Sequence, residues 1–426
     1  MKFYIYNLGC KVNSYESNVM KDCLINNGFC YSEVSDASII IINSCTVTNN
    51  ADNKTMKLIR HIRNNYKDAI LVVVGCFIQA NKDDLSNIPG DILIGNKNKS
   101  KINEYISKYL NDKKRIEDVY DISNTCFEKM SLNNYDHTRA FIKIQDGCNN
   151  FCSYCIIPYT RGGVRSKPKE DVLSEVKTLV LNGHKEVVLT GIHTGNYGCE
   201  FENYDFASLL GDLVMIEGLE RLRISSIEIT EINDRVMEII EKNDILVDHM
   251  HIPLQAGSNE ILKLMNRKYD IEYFIEKINN LRKIRPMISI TTDVIVGFPG
   301  ETDDLFLECV SNIKKLGFTK LHVFPYSIRK GTKASLMDNQ IDESVKKKRC
   351  RILLDLSVEL EKEYMNKFVG SVVSFIPEIK KDDYFIGHSG NYLLIKCKGD
   401  ELHHDNISVL IDSIDYPYCV GKVLKK

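Results

Sequence analysis

The first hundred residues alternate between short apolar runs rich in β-branched side chains and longer polar stretches whose apolar positions recur at helical spacing. Phe3 to Leu8, Ile39 to Ile42 and Ile70 to Val74 predict strands, and Asn13 to Asn26 and Asn50 to Tyr66 predict helices between them. That order is the pattern of a small parallel α/β sheet flanked by helices. From about His137 to Glu363 the pattern resumes with six candidate strands: Phe141 to Gln145, Glu186 to Thr190, Arg221 to Ser226, His249 to Leu254, Ser289 to Val296 and Leu321 to Phe324. Six such repeats predict a partial barrel of parallel strands, open on one side. Val345 to Phe368 places Ile352, Leu356, Leu360 and Tyr364 on one face of an amphipathic helix packed on that barrel. Beyond Gly370 the segments Val372 to Ile376, Tyr384 to Gly387, Tyr392 to Lys396 and Ser408 to Ile411 are short, β-rich and separated by turn residues. The expected division is 1–115, a linker over 116–136, 137–367 and 368–426, an α/β chain with a small β-barrel at its end.

A length of 426 residues suits about three domains. With 56 basic and 58 acidic side chains the net charge is −2, so global charge argues neither for nor against a nucleic-acid partner. There is no Trp, which leaves base stacking to Tyr, Phe or Arg. The apolar run at the start is too short for a signal peptide, and no stretch approaches a membrane span. The expectation is a cytoplasmic protein with no membrane partner, in a reducing compartment where thiols stay available for metal.

The 14 cysteines then carry the chemistry. Cys148, Cys152 and Cys155 lie with three and then two residues between them, just past a strand and before Ile156-Ile157-Pro158. Three thiolates so close can hold three irons of a cubane iron–sulfur cluster, leaving the fourth iron free for a small molecule. Structural zinc, the competing reading, wants four closed ligands, usually in two separated pairs, and no matching pair follows. A second set is separated by distance along the chain. Each predicted strand of the first domain is followed within three residues by a cysteine: Cys10, Cys45 and Cys76. In a parallel sheet the carboxyl ends share one edge, so these three thiols would converge there. The other eight, Cys23, Cys30, Cys126, Cys199, Cys309, Cys350, Cys397 and Cys419, show no ligand spacing and read as packing residues.

The Cys148–Cys155 spacing resembles that of the radical S-adenosylmethionine enzymes. Together with Gly9-Cys10, Asn43-Ser44-Cys45-Thr46 and Gly75-Cys76, it makes the whole chain resemble the methylthiotransferase family. The resemblance implies a Rossmann-like domain binding an auxiliary 4Fe-4S cluster through Cys10, Cys45 and Cys76. It further implies a partial (β/α)6 barrel whose 4Fe-4S cluster, on Cys148, Cys152 and Cys155, binds S-adenosylmethionine, and a C-terminal TRAM β-barrel that binds substrate. Loops after the barrel strands resemble the family's cofactor-binding segments. Gly191 would approach the methionine amino group, Tyr154 would lie near the adenine, and Ser226, Glu228, Gln255 and Asp293 would be polar contacts. His193 reads as a structural donor rather than an acid or base.

Two S-adenosylmethionine molecules are implied, one methylating sulfur and one yielding the radical that takes hydrogen from the substrate carbon. The implied partners are a tRNA and a reductant such as flavodoxin or ferredoxin. Leu8-Gly9-Cys10-Lys11-Val12-Asn13, Gln145 to Cys152, Cys155 to Gly162 and Thr190 to Gly195 look most like the branch that modifies carbon 2 of N6-threonylcarbamoyladenosine at position 37, next to the anticodon. Isopentenyladenosine in tRNA and an aspartate of a ribosomal protein are the alternative substrates. A non-catalytic iron–sulfur RNA-binding protein is the more distant alternative. Residues 370–426 hold seven Lys and no Arg against eight Asp and Glu, a departure from the basic surface expected of an RNA-binding tail. The run Lys346 to Arg351 offers a basic helical turn, read first as a solvated charge run.

Overall fold

The computed structural model describes residues 1–122, 126–133, 135, 138–399 and 405–424. The first sheet has six parallel strands: β1 (Lys2–Asn7), β2 (Cys30–Tyr31), β3 (Ile39–Ser44), β4 (Ile70–Gly75), β5 (Ile92–Ile94) and β6 (Ile116–Asp118), in the order β2-β1-β3-β4-β5-β6. Ile39 to Ile42 are each fully buried, because both faces of the sheet are covered. Ile39 and Ile41 pack with Met20, Leu24, Ile102 and Ile106, while Ile40 and Ile42 pack with Ile59 and Ile62. Each such side chain contributes about 1.5–3 kcal/mol by leaving water. Three strands escaped the sequence reading because they are only two or three residues long. One of them, β6, occupies the start of the expected linker and pairs with β5. The expected barrel boundary at His137 lies outside the described residues.

The barrel strands are β7 (Arg139–Lys143), β10 (Glu186–Thr190), β11 (Arg221–Ile224), β12 (His249–His251), β13 (Ser289–Val296) and β14 (Lys320–Pro325); a two-stranded ribbon, β8 (Gln145–Asp146) and β9 (Arg165–Ser166), follows β7 in the chain. They form two parallel arcs, β7-β10-β11 and β12-β13-β14, joined by the bridge Leu222 to Leu246. Helices such as Lys169–Leu181 and Ile271–Ile284 cover the outside. The helix Lys11–Asn26 of the first domain packs beside β7. Its Met20 and Leu24 join the first sheet's core, and its Tyr15 and Val19 join the barrel's core.

The last domain is a closed barrel of β15 (Val372–Lys381), β16 (Tyr384–Ser389), β17 (Leu394–Lys398), β18 (Ile407–Asp415) and β19 (Tyr418–Val423), in the order β15-β16-β17-β19-β18. The fifth strand was not read from the sequence. The sequence pattern starts a strand at Tyr392, but that residue sits in the turn before β17 with φ 68°. Arg221 ties this barrel to the larger one, donating to Ser374 Oγ (2.8 Å), Asn406 Oδ1 (2.8 Å) and the His388 carbonyl (3.2 Å). Arg139 pairs with Glu378 at 3.2 Å. Arg139 and Arg221 open their strands, so the small barrel lies across the amino-terminal mouth of the larger one. The basic run on the helix Glu343–Asn366 is divided. Lys346 and Arg349 are buried and paired with Glu343, Glu301 and Asp303, while Lys347, Lys348 and Arg351 are exposed.

Candidate active site

The loop Cys148–Cys155 leaves β8 through Gly147, whose φ of 74° and packing exclude a side chain. A Cβ there would stand 1.9 Å from the Gly163 carbonyl oxygen. The loop is pinned by Cys148 N–H to the Gly162 carbonyl (3.0 Å), Ser153 N–H to the Met265 carbonyl (3.0 Å) and Ser153 Oγ to the Leu264 carbonyl (2.8 Å). Its three thiols are half-buried. Burial, together with the neighbouring Cys152 and Cys148, pushes the Cys155 thiol up to about 12. Arg267 Nη1 donates to Cys152 Sγ at 3.3 Å, and His193 Nδ1 lies 3.7 Å from Cys148 Sγ. His193 is held from behind by Glu231.

The second set gathers at the carboxyl ends of β1, β3 and β4. Burial and then the nearby Cys76 and Cys10 push Cys45 up to about 11, so each thiol lies within electrostatic reach of Cys45. Gly75 (φ 106°) lets β4 pass the Ser44 carbonyl, where a Cβ would come within 2.7 Å. Cys76 Sγ accepts from Arg161 Nε and Asn96 Nδ2, both at 3.3 Å. Arg161 comes from the barrel. Its Nη1 also reaches Glu16 Oε1 of the first domain (3.0 Å) and Asp146 Oδ1 (3.1 Å), two residues before Cys148. One buried guanidinium therefore touches both cysteine loops' surroundings.

Among the described residues no three His, Cys, Asp or Glu side chains gather round a single ion-sized point. A cubane does not require that, because its thiolates bind separate irons and stand apart by the width of the cluster. Each set offers three thiols and an N–H donor to sulfur, a donor set that fits a cluster and stabilises its negative charge.

Between the three domains lies a cavity of about 690 Å³. Strand alternation builds its wall: His249 and His251 on β12, Ser289, Thr291 and Asp293 on β13, and Lys320, His322 and Phe324 on β14 share one face each. Polar side chains in these positions leave a hollow where complete barrels carry a packed apolar core. The first domain adds Cys10, Lys11 and Val12; the small barrel adds His388, Tyr392, Leu394 and Pro417.

Of the expected cofactor contacts, Gly191, Ser226 and Asp293 line this cavity. At Gly191 a Cβ would lie 3.0 Å from Gln145 Oε1. Tyr154, Glu228 and Gln255 are not on its wall. Tyr154 lies edge-on to Phe298, 6.5 Å between centroids, against the barrel core. Glu228 pairs with Arg267. Gln255 (φ 65°) is engaged through its backbone with Asp293 and Ile295. Arg161, Arg267, Lys11 and the histidines of the lumen were missed. The available signal was polar residues at alternate positions inside otherwise apolar strands, as in His249-Met250-His251.

Comparison with known proteins agrees with this architecture. Residues 142–313 match the radical SAM superfamily and residues 2–95 match the uncharacterized protein family UPF0004. The fold is similar to that of a radical S-adenosylmethionine methyltransferase, TsrM, from Kitasatospora setae (TM-score 0.56, 14% identity, 76% of this chain and 72% of that one). The fold and the cysteine loop thus define a radical S-adenosylmethionine enzyme, a class that uses a 4Fe-4S cluster and S-adenosylmethionine. Relatives extend over nearly the whole chain. "Threonylcarbamoyladenosine tRNA methylthiotransferase MtaB" of Bacillus subtilis (strain 168) is 41% identical over 99% of this chain and 96% of its own length. The protein of that name from Thermotoga maritima is 37% identical over 90% of each. "tRNA-2-methylthio-N(6)-dimethylallyladenosine synthase" of Alkaliphilus oremlandii is 34% identical over 94% of this chain and 88% of its own. The chain belongs to the radical S-adenosylmethionine methylthiotransferase family. Among the described residues no helix is long and apolar enough to cross a membrane.

Proposed function

We propose that this protein adds a methylthio group to carbon 2 of N6-threonylcarbamoyladenosine at position 37 of tRNA. The observation that carries this reading is end-to-end similarity at 41% identity to a threonylcarbamoyladenosine enzyme, against 34% for a dimethylallyladenosine enzyme. Residues 1–115, 137–367 and 368–426 act as sulfur-delivering, radical-generating and substrate-binding parts. Cys148, Cys152 and Cys155 would hold one 4Fe-4S cluster and Cys10, Cys45 and Cys76 the other. When bound, these groups and S-adenosylmethionine supply the hydrogen-abstracting radical and the sulfur that is methylated and transferred.

The chain's own residues hold and shield. Gly191, Ser226 and Asp293 offer a side-chain-free approach and polar contacts on the cavity wall, and Glu228 orients Arg267 against Cys152. Arg161 and its carboxylates hold the two cysteine loops in one frame, the proximity a two-site transfer requires. Tyr392, His388, Leu394 and Pro417 of the small barrel complete the cavity wall. Electrons would come from a flavodoxin- or ferredoxin-type reductant in the cytoplasm.

Mass spectrometry of digested tRNA from a deletion strain and its complemented counterpart tests the reading. Loss and restoration of 2-methylthio-threonylcarbamoyladenosine alone is the expected result; an unchanged tRNA profile rejects it. Cys148→Ala should abolish S-adenosylmethionine cleavage, whereas Cys45→Ala should retain cleavage without methylthiolation, and parental activity in either would refute the two-cluster scheme.

A further inference from the structure

Where Lys11, His249, His388 and Tyr392 meet on the cavity wall, the cations on and just behind the wall outnumber the carboxylates paired with them. Tyr392 stands between His249 (centroids 4.6 Å, 23° between planes) and His388 (4.5 Å). The guanidinium carbons of Arg139 and Arg223 lie 5.3 and 4.9 Å from its centroid. Lys11 lines the same cavity, within electrostatic reach of the Arg223 and Arg139 guanidiniums. The nearby carboxylates are already committed, including the two on the cavity wall, where Asp293 faces His251 (3.4 Å) and Glu361 pairs with Lys320 (2.9 Å). Glu378 pairs with Arg139 and His388, and Glu186 is divided between Arg221 and Arg223. Among the described residues no ion pair or hydrogen bond engages the Lys11 ammonium. Arg223 Nη1 and His249 Nδ1, in side chains 1% and 5% exposed, also lack a hydrogen-bond partner. The helix that Lys11 opens has no Asp or Glu in its first turn, so its positive end adds to the same field.

An unpaired ammonium and buried donors without partners beside a cavity are unfavourable until a ligand supplies the missing acceptor and charge; burial and the neighbouring Arg223 keep His249 a neutral imidazole, so its part is a hydrogen bond and the charge is that of Lys11. Resting on the substrate reading above, we propose that this corner recognises the free carboxylate of the threonyl group, with Lys11 as the specificity-determining contact, His249 as a supporting donor, and Arg223 behind the wall adding to the positive field. The chemistry separates the two adenosine substrates of the family. The threonylcarbamoyl substituent on N6 ends in a carboxylate, whereas a dimethylallyl substituent is hydrocarbon and would leave the corner unpaired. Position also fits. N6 hangs from the same six-membered ring as carbon 2, so one cavity must accept both the reacting carbon and the substituent, and Cys10 and Lys11, adjacent in the chain, line one cavity.

The test measures affinity of the reconstituted holoenzyme for anticodon stem–loops that differ only at N6 of position 37: threonylcarbamoyl, its methyl ester, or unmodified adenosine. For the parent, esterification should weaken binding about tenfold or more, the worth of one charge-assisted contact. In Lys11→Met the acid and the ester should bind within about twofold of each other. Lys11→Arg should keep the discrimination, and iron content should match the parent in both variants. Equal binding of acid and ester by the parent overturns the proposal without any variant. A Lys11→Met protein that keeps the parent's ester penalty also overturns it. Weakened S-adenosylmethionine binding in Lys11→Met, measured by equilibrium dialysis, would assign the charge to the methionyl carboxylate and overturn it too. If the parent binds the threonylcarbamoyl hairpin no better than the unmodified one, the substrate reading itself fails and takes this inference with it.

Discussion

Replacing Glu16 by Gln should be among the most damaging conservative changes in the molecule, although the residue is in neither cysteine loop. Glu16 is wholly buried on the helix Lys11–Asn26 and accepts from Lys99 of its own domain and from Lys143 (2.7 Å) and Arg161 (3.0 Å) of the barrel. Asp146 serves Lys143 (2.6 Å), Arg161 (3.1 Å) and Arg165 (3.3 Å). Two carboxylates thus balance four cations. Burial alone would raise Glu16, but Arg161, Lys143 and Lys99 together hold it well below the usual carboxylate range; Asp146 is depressed for the same kind of reason by Lys143, Arg161 and Arg165. The amide keeps the shape and loses the charge, leaving Lys99 without its carboxylate and three cations on Asp146. Removing one partner of a buried ion pair costs about 3–5 kcal/mol. Anaerobic urea unfolding of Glu16→Gln beside the parent reads this directly. Adding Lys99→Met should recover part of the loss, because it removes the orphaned cation. The pH dependence has a definite sign. A depressed carboxylate stabilises fully above its unfolded value and loses that contribution as pH falls towards its folded one, so the gap between parent and variant should narrow below about pH 4–5. A loss under about 1 kcal/mol, the worth of an exposed pair, or a gap that widens in acid, would refute the reasoning.

Gly147→Ala would drive a Cβ to 1.9 Å from the Gly163 carbonyl at φ 74°, so the loop should lose its pinning. The expected outcome is loss of one cluster's iron and its electron paramagnetic resonance signal, with the signal of the Cys10–Cys45–Cys76 site retained. Arg329→Ala removes donors from Nη2 to Thr46 Oγ1 (2.8 Å) and Nη1 to Asn49 Oδ1 (2.7 Å), and an ion pair to Asp52 (2.7 Å), just after Cys45. Because it loosens one domain against the other, methylthiolation should fall about tenfold to a hundredfold while S-adenosylmethionine cleavage changes little; parallel loss of both would contradict a positioning role.

The principal strands were legible because a strand buried on both faces needs an uninterrupted apolar run, and Ile39 to Ile42 and Ile70 to Val74 supply one. The thiols of Cys148, Cys152 and Cys155 were legible because one loop contains the whole ligand spacing. Cys10, Cys45 and Cys76 were legible through topology, since parallel strands end on a common edge. Short edge strands such as Ile116–Asp118 were not, because three residues carry no periodicity.

Other features arose only when distant segments met. Glu16 finds Lys99, Lys143 and Arg161 across 83, 127 and 145 residues, and no local pattern distinguishes those charges from solvated ones. Tyr154, Glu228 and Gln255 sit in motif positions, yet backbone direction and the partner Arg267 turn them from the cavity wall. Lys11 and Tyr392 share a corner only because the first domain packs beside β7 and the small barrel lies over the lumen's mouth. Local spacing and strand order were enough to set the principal elements and to group the six cysteines into two sets of three. Tertiary packing decided which charges are buried, which remain unpaired, and what shape of substrate the hollow between the domains can accept.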